Sequence, residues 1–558
     1  MTDATRLDPA ERSARDAASG LAHDPRPALE ILGVDWERVQ LVVRARWVDG
    51  VAAPGPDALR LRQLVALEPD VTLGAMPPTG WHTEGEGFRL RFNVMAGPDQ
   101  MPMALGQWRL ELHGRAVPVV GGPIDPTAAT GRFALARGAY VAAPSVDPAD
   151  GTFRLDVDLT LADPASAPRR VTDRRTRPIR LVVSRFRRGI FRAAYRIARR
   201  VARRTGRRIL FASDSRADLG GNLQVVWERM VERGLDRQYE MLTLFKPSIA
   251  DHRSFRDRFR MPWLLATADV VLVDDYMPVI YRIDDPEVRI IQLWHASGAF
   301  KTVGYSRVGK PGGPSPFSRI HKNYTHAIVS SDHDVPFYAE AFGIPEARVV
   351  PTGIPRMDRF FDEGARAAGR EAALAAFPAA RGRTTILFAP TFRGDPRTAT
   401  YPHDMIDFEG LHALAVEQDA VVIFKMHPFV REPVPIPGPF GDRLIDGTRT
   451  SVDVNDLLFV VDLLVTDYSS IVFEFSTLGR PMLFFAYDLD EYIAERDFYV
   501  PFEEFVPGRI VRTFAELLDA IRREDYEAEK VGEFARRHFD HLDGTSTDRV
   551  IDELVIAR

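Results

Sequence analysis

A pair of doubly wound α/β domains behind a β-sandwich-like module is the fold class this sequence predicts, and three observations predict it. Residues 27 to 165 alternate apolar and polar side chains, with Gly, Pro and Asp at the breaks, which is the period-two pattern of half-buried antiparallel strands. Beyond residue 208, short continuous apolar runs alternate with helical stretches, the rhythm of a parallel sheet covered on both faces. That rhythm begins afresh after Val349-Val350-Pro351, so the α/β region divides into two halves of similar size.

At 558 residues the chain exceeds one ordinary domain, since domains run to roughly 100 to 200 residues. Residues 1 to 26 are polar and carry acids near the start. A secretory signal needs a basic start followed by an apolar stretch, so an export signal is not expected and a mobile tail is. In residues 27 to 165 the segments LEILGV, VQLVVRARWV, FRLRFNV, WRLELHG and FRLDVDLTL read as strands. No cluster of catalytic residue types accompanies them, so this module reads as accessory.

Residues 166 to 208 form a basic linker in which Asp173 is the one acid between Arg169 and Arg208. From about Ser184 to Arg204 the spacing is helical, with Ile190, Ala194, Ile197 and Val201 on one stripe and Phe191 and Tyr195 beside it. Arg188, Arg192, Arg196, Arg199 and Arg203 fall toward the other side. Such a helix suits an anionic membrane surface, and it equally suits packing on the next domain. It lacks the interleaved aromatics and the surrounding module of a nucleic-acid binder, and none is expected.

Residues 209 to 348 supply RRILFAS, YEMLTLF, DVVLVDD, RIIQLWH and HAIVSSD as strands, and residues 349 to 558 supply TTILFAPT, AVVIFKMHP, DLLVTDYSS and RPMLFFAY, followed by closing helices. Open sheets of this kind bind ligands at the carboxyl ends of their strands, so the cleft between the halves is where chemistry is expected. Composition narrows that chemistry. With 73 basic and 78 acidic side chains the chain is no polycation, and zero cysteines exclude disulfides, thiolate metal sites and thiol nucleophiles. No apolar run reaches the roughly 18 residues a membrane span requires.

Four strand ends carry polar residues. In Trp294-His295-Ala296-Ser297-Gly298, His295 is placed to take a proton from a hydroxyl, or to play a structural part. In Lys425-Met426-His427-Pro428 the proline stops the strand and leaves the imidazole at its tip, where a Lys and His pair suits developing phosphate charge. Asp467-Tyr468-Ser469-Ser470 runs into the helix IVFEFSTLG, a pattern that serves either as an ordinary cap or as a diphosphate seat. Thr391-Phe392-Arg393 offers an arginine for phosphate contact or for plain solvent exposure. Gly-rich nucleotide fingerprints are lacking, which disfavours a P-loop or NAD site.

Taken together, QLWHASGAFKTVGY, PTGIPRMD, ILFAPTFR, FKMHP and TDYSSIVFEFSTLGRPMLFFAYDLDEY resemble the CDP-glycerol glycerophosphotransferase family, teichoic acid primases and polymerases, over about residues 209 to 540. The resemblance implies a GT-B arrangement of two Rossmann-like domains in a cytoplasmic protein peripheral to the inner membrane face. It implies transfer of glycerol phosphate or another polyol phosphate from a CDP-activated donor to a lipid-linked or polymeric hydroxyl, with release of CMP. The family's two functional histidines map onto His295 and His427, and the donor diphosphate onto Ser469 and Ser470. Lys425, Arg393, Thr391 and Asp467 complete the expected donor side, and Ser297 and Gly298 the acceptor side. Ala296 departs from the glycine usual at that place. No metal ligands or tightly bound cofactor are expected, a loosely held Mg²⁺ being compatible with a diphosphate donor, and homo-oligomer formation is left open. The rival readings are a nucleotide-sugar glycosyltransferase on the same scaffold and a non-catalytic membrane or polymer adaptor.

Overall fold

The structure is a computed structural model that describes residues 27–48, 55–66, 73–97, 101–120, 124–125, 128–135, 138–160 and 177–557, apart from 203, 250, 252, 284, 311 and 395–397. The expected tail over residues 1 to 26 and Arg203 lie outside the described residues. The chain separates into two compact units, residues 1–166 and 167–558.

The first unit holds two β-sheets. In one, Gln40–Trp47 runs between Leu29–Glu37 and Gly87–Asn93, antiparallel to both, and Leu29–Glu37 adds a short parallel pairing with Val119–Val120. In the other, Gly106–Leu112 lies between Phe153–Thr160 and Leu59–Ala66, again antiparallel. Leu41, Val43, Leu90 and Phe92 of the first sheet and Leu61, Trp108, Tyr140 and Leu155 of the second are buried. These are alternate positions of each strand, as the period-two pattern requires. Trp36 joins the sheets, its ring packing edge-on to Phe133 with centroids 5.5 Å apart and its Nε1 donating to the Ala129 carbonyl at 2.6 Å.

The second unit contains two six-stranded parallel sheets, as the apolar runs predict. Across the first the order is Glu240–Phe245, Arg208–Ser213, Val270–Val273, Arg289–Gln292, His326–Ile328 and Val349–Val350. Across the second it is Leu444–Asp446, Ala420–Phe424, Thr384–Phe388, Leu463–Thr466, Met482–Phe485 and Arg509–Val511. Each sheet reverses its winding once, beside its own first strand, and a doubly wound sheet opens its ligand crevice at that reversal. The reversal falls between Arg208–Ser213 and Val270–Val273 in the first sheet, and between Thr384–Phe388 and Leu463–Thr466 in the second. Val349–Val350 pairs with His326–Ile328, so the first sheet runs on past residue 348, where the sequence reading divides the halves. A two-residue strand before Pro351 is too short to show in an apolar pattern.

The basic helix extends over Arg177–Val201, beginning earlier than the expected Ser184. Its buried side also differs from the expected stripe. Phe191, Tyr195 and Ala198 are buried in one cluster with Leu264 and Leu265 of the neighbouring helix Phe255–Thr267, while Ile190, Ile197 and Val201 are 52%, 61% and 71% exposed. Two apolar stripes compete on this helix, and the one with the larger rings is buried because it removes more area from water.

One continuous apolar core spans both parallel sheets, from Ile209 and Phe211 to Phe473 and Val555. Where the halves meet, Gly298 lies directly on Phe473, and a β-carbon there would come within 2.2 Å of the ring. Gly298→Ala is therefore expected to cost about 1–3 kcal/mol of stability by overpacking, measured by denaturant unfolding. Combined with Phe473→Leu, the loss is expected to be smaller than the sum of the two single losses. Strict additivity would show that this contact does not limit the junction.

Candidate active site

The first reversal point presents Arg216, after Arg208–Ser213, and Asp274, after Val270–Val273. They form an ion pair at 2.7 Å. Burial raises the Asp274 pKa, and the charges of Arg216 and His295 oppose that rise. One strand further along, Arg289–Gln292 ends in Leu293 and Trp294, with Trp294 at φ 50°. A left-handed backbone at a bulky residue costs on the order of 1–3 kcal/mol and persists only where surroundings enforce it. Here they do. Asn222 Nδ2 donates to the carbonyls of Leu293 and Trp294 at 3.1 and 2.8 Å, the Trp294 N–H donates to Gln292 Oε1 at 2.8 Å, and the indole packs edge-on against His321 and Phe342. The turn delivers the next residue, His295, to an exposed position with its ring 4.4 Å from the indole. His295 lines a cavity of about 830 Å³ together with Arg216, Asn222, Asp274, Arg356 and, from the second half, Asn455.

At the second reversal point two of the expected donor ligands, Asp467 and Arg393, are engaged by neighbouring protein groups. Asp467 is 1% exposed. Its Oδ1 accepts from the N–H groups of Thr391 and Tyr468 at 2.7 and 2.5 Å, and its Oδ2 accepts from Arg393 at 3.0 Å. Arg393 also donates twice to Asp488, at 2.5 and 2.9 Å, and once to the Thr391 carbonyl at 2.7 Å. The rings of Tyr401, Tyr468, Tyr487 and Tyr492 surround its guanidinium at 5.2–6.0 Å. All three of its nitrogens are thus engaged, so it neither projects into solvent nor offers a free fork to a phosphate. Thr391 differs: its Oγ1 is buried and makes no hydrogen bond among the described residues.

His427 is half-buried against Phe392 and Phe429, with ring centroids 4.7 and 4.6 Å away. Its Nδ1 accepts from the Phe429 N–H at 3.2 Å, which leaves Nε2 to carry the proton of the neutral ring. Burial, and then the charge of Lys301, lower its pKa. Lys425 donates to the Gly447 carbonyl at 3.0 Å, and burial lowers its pKa as well. Ser470 is exposed and precedes the helix Ile471–Ser476, making no capping hydrogen bond, whereas the Ser469 hydroxyl accepts from Ile471 N at 3.4 Å.

Ser297 and Gly298, expected on the acceptor side, are buried where the halves meet. Ser297 is 1% exposed and its hydroxyl donates to Glu474 at 2.7 Å and accepts from Arg356 at 3.1 Å, while Gly298 is buried against Phe473. Both serve the junction between the halves. The basic helix divides similarly. Arg192 and Arg196 are exposed, but Arg199 pairs with Asp285 at 2.7 Å and Glu287 at 3.0 Å, and the Arg188 side chain lies outside the described residues.

Residues 193–556 match the family described as CDP-glycerol:poly(glycerophosphate) glycerophosphotransferase. The chain belongs to that family. It is 49% identical over 348 residues to the teichoic acid ribitol-phosphate polymerase TarK of Staphylococcus aureus, covering 62% of this chain and 68% of that one. It is 46% identical to TarL of the same organism, covering 66% of each, and 35% identical to the ribitol-phosphate primase of Bacillus spizizenii, covering 66% of this chain and 96% of that one. The chain thus spans about two thirds of the length of TarK and TarL. The solved structure of the wall teichoic acid polymerase TagF aligns with a TM-score of 0.53 at 21% identity, over 68% of this chain and 95% of that one, which shows a shared GT-B-like fold.

As a glycerophosphotransferase family member the chain is a transferase of CDP-activated polyol phosphate. Sequence reasoning missed Arg216, Asn222, Asp274, Arg356 and Lys301. The first four reach the cleft only through the strand order, whereas Lys301 stands six residues after His295 within QLWHASGAFKTVGY. Its ammonium makes no ion pair among the described residues, lies 5.4 Å from the Tyr492 ring, and is shifted by burial to a pKa of about 8. Its positive charge is consequently lost as pH rises through about 8. The affinity for a CDP-polyol donor is expected to fall between pH 7 and 9 in calorimetric titrations, and Lys301→Arg, charged throughout, is expected to flatten that profile. An unchanged profile in Lys301→Arg would place Lys301 away from the diphosphate.

Proposed function

We propose that this chain is a polymerase that transfers ribitol phosphate from CDP-ribitol to a terminal hydroxyl of a lipid-linked or polymeric polyol-phosphate acceptor. The exposed imidazole of His295, held over Trp294 at a cavity lined by both halves, carries this reading. Ribitol is favoured over glycerol because the ribitol-phosphate enzymes share 35–49% identity with the chain and the glycerol-phosphate enzymes 25–29%.

In this mechanism the acceptor oxygen attacks the β-phosphorus as His295 takes the hydroxyl proton. The bond from that phosphorus to the bridging oxygen breaks, and CMP departs with the electron pair. CMP leaves as a phosphate monoester, whose second pKa lies near 6, so the departing oxygen needs charge stabilisation more than protonation. His427, donating from Nε2, and the Lys301 ammonium supply that stabilisation. Lys425 holds the Gly447 turn beside them, and Ser469, Ser470 and the free Thr391 hydroxyl meet the phosphates. Arg393 and Asp467 act behind them by fixing the two strand ends. Among the described residues no group of three or more metal-ligating side chains gathers, and a Mg²⁺ carried in by the diphosphate is compatible with this arrangement.

Among the described residues no helix is long and apolar enough to cross a membrane. A peripheral membrane position is supported by the exposed Ile190, Ile197 and Val201 beside the exposed Phe259 and Trp263 of the adjoining helix, with Arg192, Arg196 and Arg200 exposed around them. Apolar side chains ringed by cations are the composition that an anionic lipid interface recruits.

Three measurements test these assignments. His295→Ala is expected to lower CMP release about 10²- to 10⁴-fold while donor affinity stays within a few-fold. With wild type, CDP-ribitol is expected to give a product ladder in ribitol-phosphate steps, faster than CDP-glycerol gives its own; release of UDP from UDP-sugars instead would sink the assignment. In vesicle sedimentation, Phe259→Ser with Trp263→Ser is expected to release the protein from phosphatidylglycerol vesicles. Undiminished binding would move the membrane contact to another face.

A further inference from the structure

Behind Trp294 lies a second cavity, of about 450 Å³, lined by Tyr276, Trp294, Lys301, Arg307, His321 and Arg496 among others. Its volume is within the range of roughly 300–1,000 Å³ typical of small-ligand pockets. Because Trp294 lines both cavities, this one adjoins the cavity that holds His295.

The charges around it are unbalanced. Three cations reach the wall against a single carboxylate, that of Asp497, and Asp497 is paired with Lys310 at 3.2 Å. Its backbone carbonyl is also taken, accepting from the N–H and hydroxyl of Thr302 at 2.9 and 3.1 Å. Neither Lys301 nor Arg496 has an ion-pair partner among the described residues. Burial and the nearby charge of Arg496 both oppose the positive form of Arg307. Collected and partly desolvated cations are costly unless an anion joins them. Among the residues that line the cavity Asp497 is the one carboxylate; the charge of Asp467, already paired with Arg393, acts on Lys301 from behind. His321 is held neutral by burial, its pKa depressed to about 3, and the Tyr305 phenol beside the cavity is pushed above its ordinary value.

We propose that this cavity seats the phosphodiester of the acceptor, one repeat unit back from the terminal hydroxyl presented to His295. The inference rests on the transferase reading above and adds to it the means by which a polyanionic chain is distinguished from a free polyol. Arg307 and Arg496 grip the phosphate, and Lys301 stands between that phosphate and the one being transferred. Trp294 separates the two phosphates, which keeps like charges from sharing one space.

The experiment uses the purified full chain and four probes: a short soluble ribitol-phosphate oligomer, free ribitol, CDP-ribitol, and phosphatidylglycerol vesicles. Wild type is expected to bind the oligomer in a salt-sensitive manner and well above free ribitol. Arg307→Gln and Arg496→Gln are each expected to weaken oligomer binding about tenfold, as loss of a charged hydrogen bond does, with CDP-ribitol and vesicle binding within twofold of wild type. Arg307→Lys and Arg496→Lys, which keep the charge, are expected to retain most of the affinity and to guard against misfolding as the cause. The proposal is overturned if oligomer affinity survives in the double Gln variant, or if the loss falls on CDP-ribitol or on vesicles, which would make this a donor or lipid site. Wild type that binds CDP-ribitol but not the oligomer would remove the subsite and leave the transferase reading standing, whereas wild type that binds neither would remove both.

Discussion

The arrangement of the cleft depends on one buried ion pair, between Arg356 and Glu474. Glu474 is 3% exposed, so its carboxylate is retained in the interior only because Arg356 and the Ser297 hydroxyl satisfy it. Removing one partner of such a pair strands the other and typically costs about 3–5 kcal/mol. Its geometry matters more than its energy. Arg356 belongs to the short 3₁₀ stretch Pro355–Phe360 that leads from the first sheet to the second, and Glu474 belongs to the helix that follows the second sheet's reversal point. The Arg356 N–H also donates to Asn222 Oδ1 at 3.0 Å, and Asn222 is the residue that pins the Trp294 turn. One connected network therefore joins the segment that aims His295 to the segment that ends in Ser469 and Ser470.

The second half is organised on the same principle around Arg393. A guanidinium with every nitrogen engaged, enclosed by four tyrosine rings, cannot double as a mobile phosphate ligand. It can hold Thr391 and Asp467 in register, and so set the distance between the two strand ends at the second reversal point. Arg393 and Asp467, which look like ligands by their place after a strand, thus spend their hydrogen bonds inside the protein. The residues proposed to meet substrate, His427, Lys301 and the hydroxyls of Thr391, Ser469 and Ser470, stand on the strand ends and turns around that framework.

Much of the fold was legible because buried parallel strands are continuous apolar runs, and Val270–Val273 or Ala420–Phe424 can hardly be read otherwise. The short edge strands Val349–Val350, Leu444–Asp446 and Arg509–Val511 escaped, since two or three residues carry no periodicity. The basic helix was legible as amphipathic, but periodicity does not rank two apolar stripes, and the bulk of Phe191 and Tyr195 decided which was buried. His295 and His427 stand out in the sequence because each follows the end of a strand by three residues. The contact of Ser297 with the buried Glu474 carboxylate was not legible, because small polar residues after a strand look alike whether they meet a ligand or the protein interior. Arg216 and Asp274 became neighbours only through the order of strands, which no local pattern encodes.

The near balance of charge in the whole chain therefore conceals a division of labour among its cations. Where an acid stands within ion-pair reach, as for Arg199, Arg216, Arg356 and Arg393, the arginine fixes one element against another, and its charge is spent inside the protein. Where none does, as for Lys301 and Arg496, the charge faces a cavity and stays available to an anion from outside. Both kinds of residue occur within the same α/β unit, and composition cannot separate them. Pairing can, because a partly buried cation without a counter-charge is tolerated only where its advantage comes from something that binds.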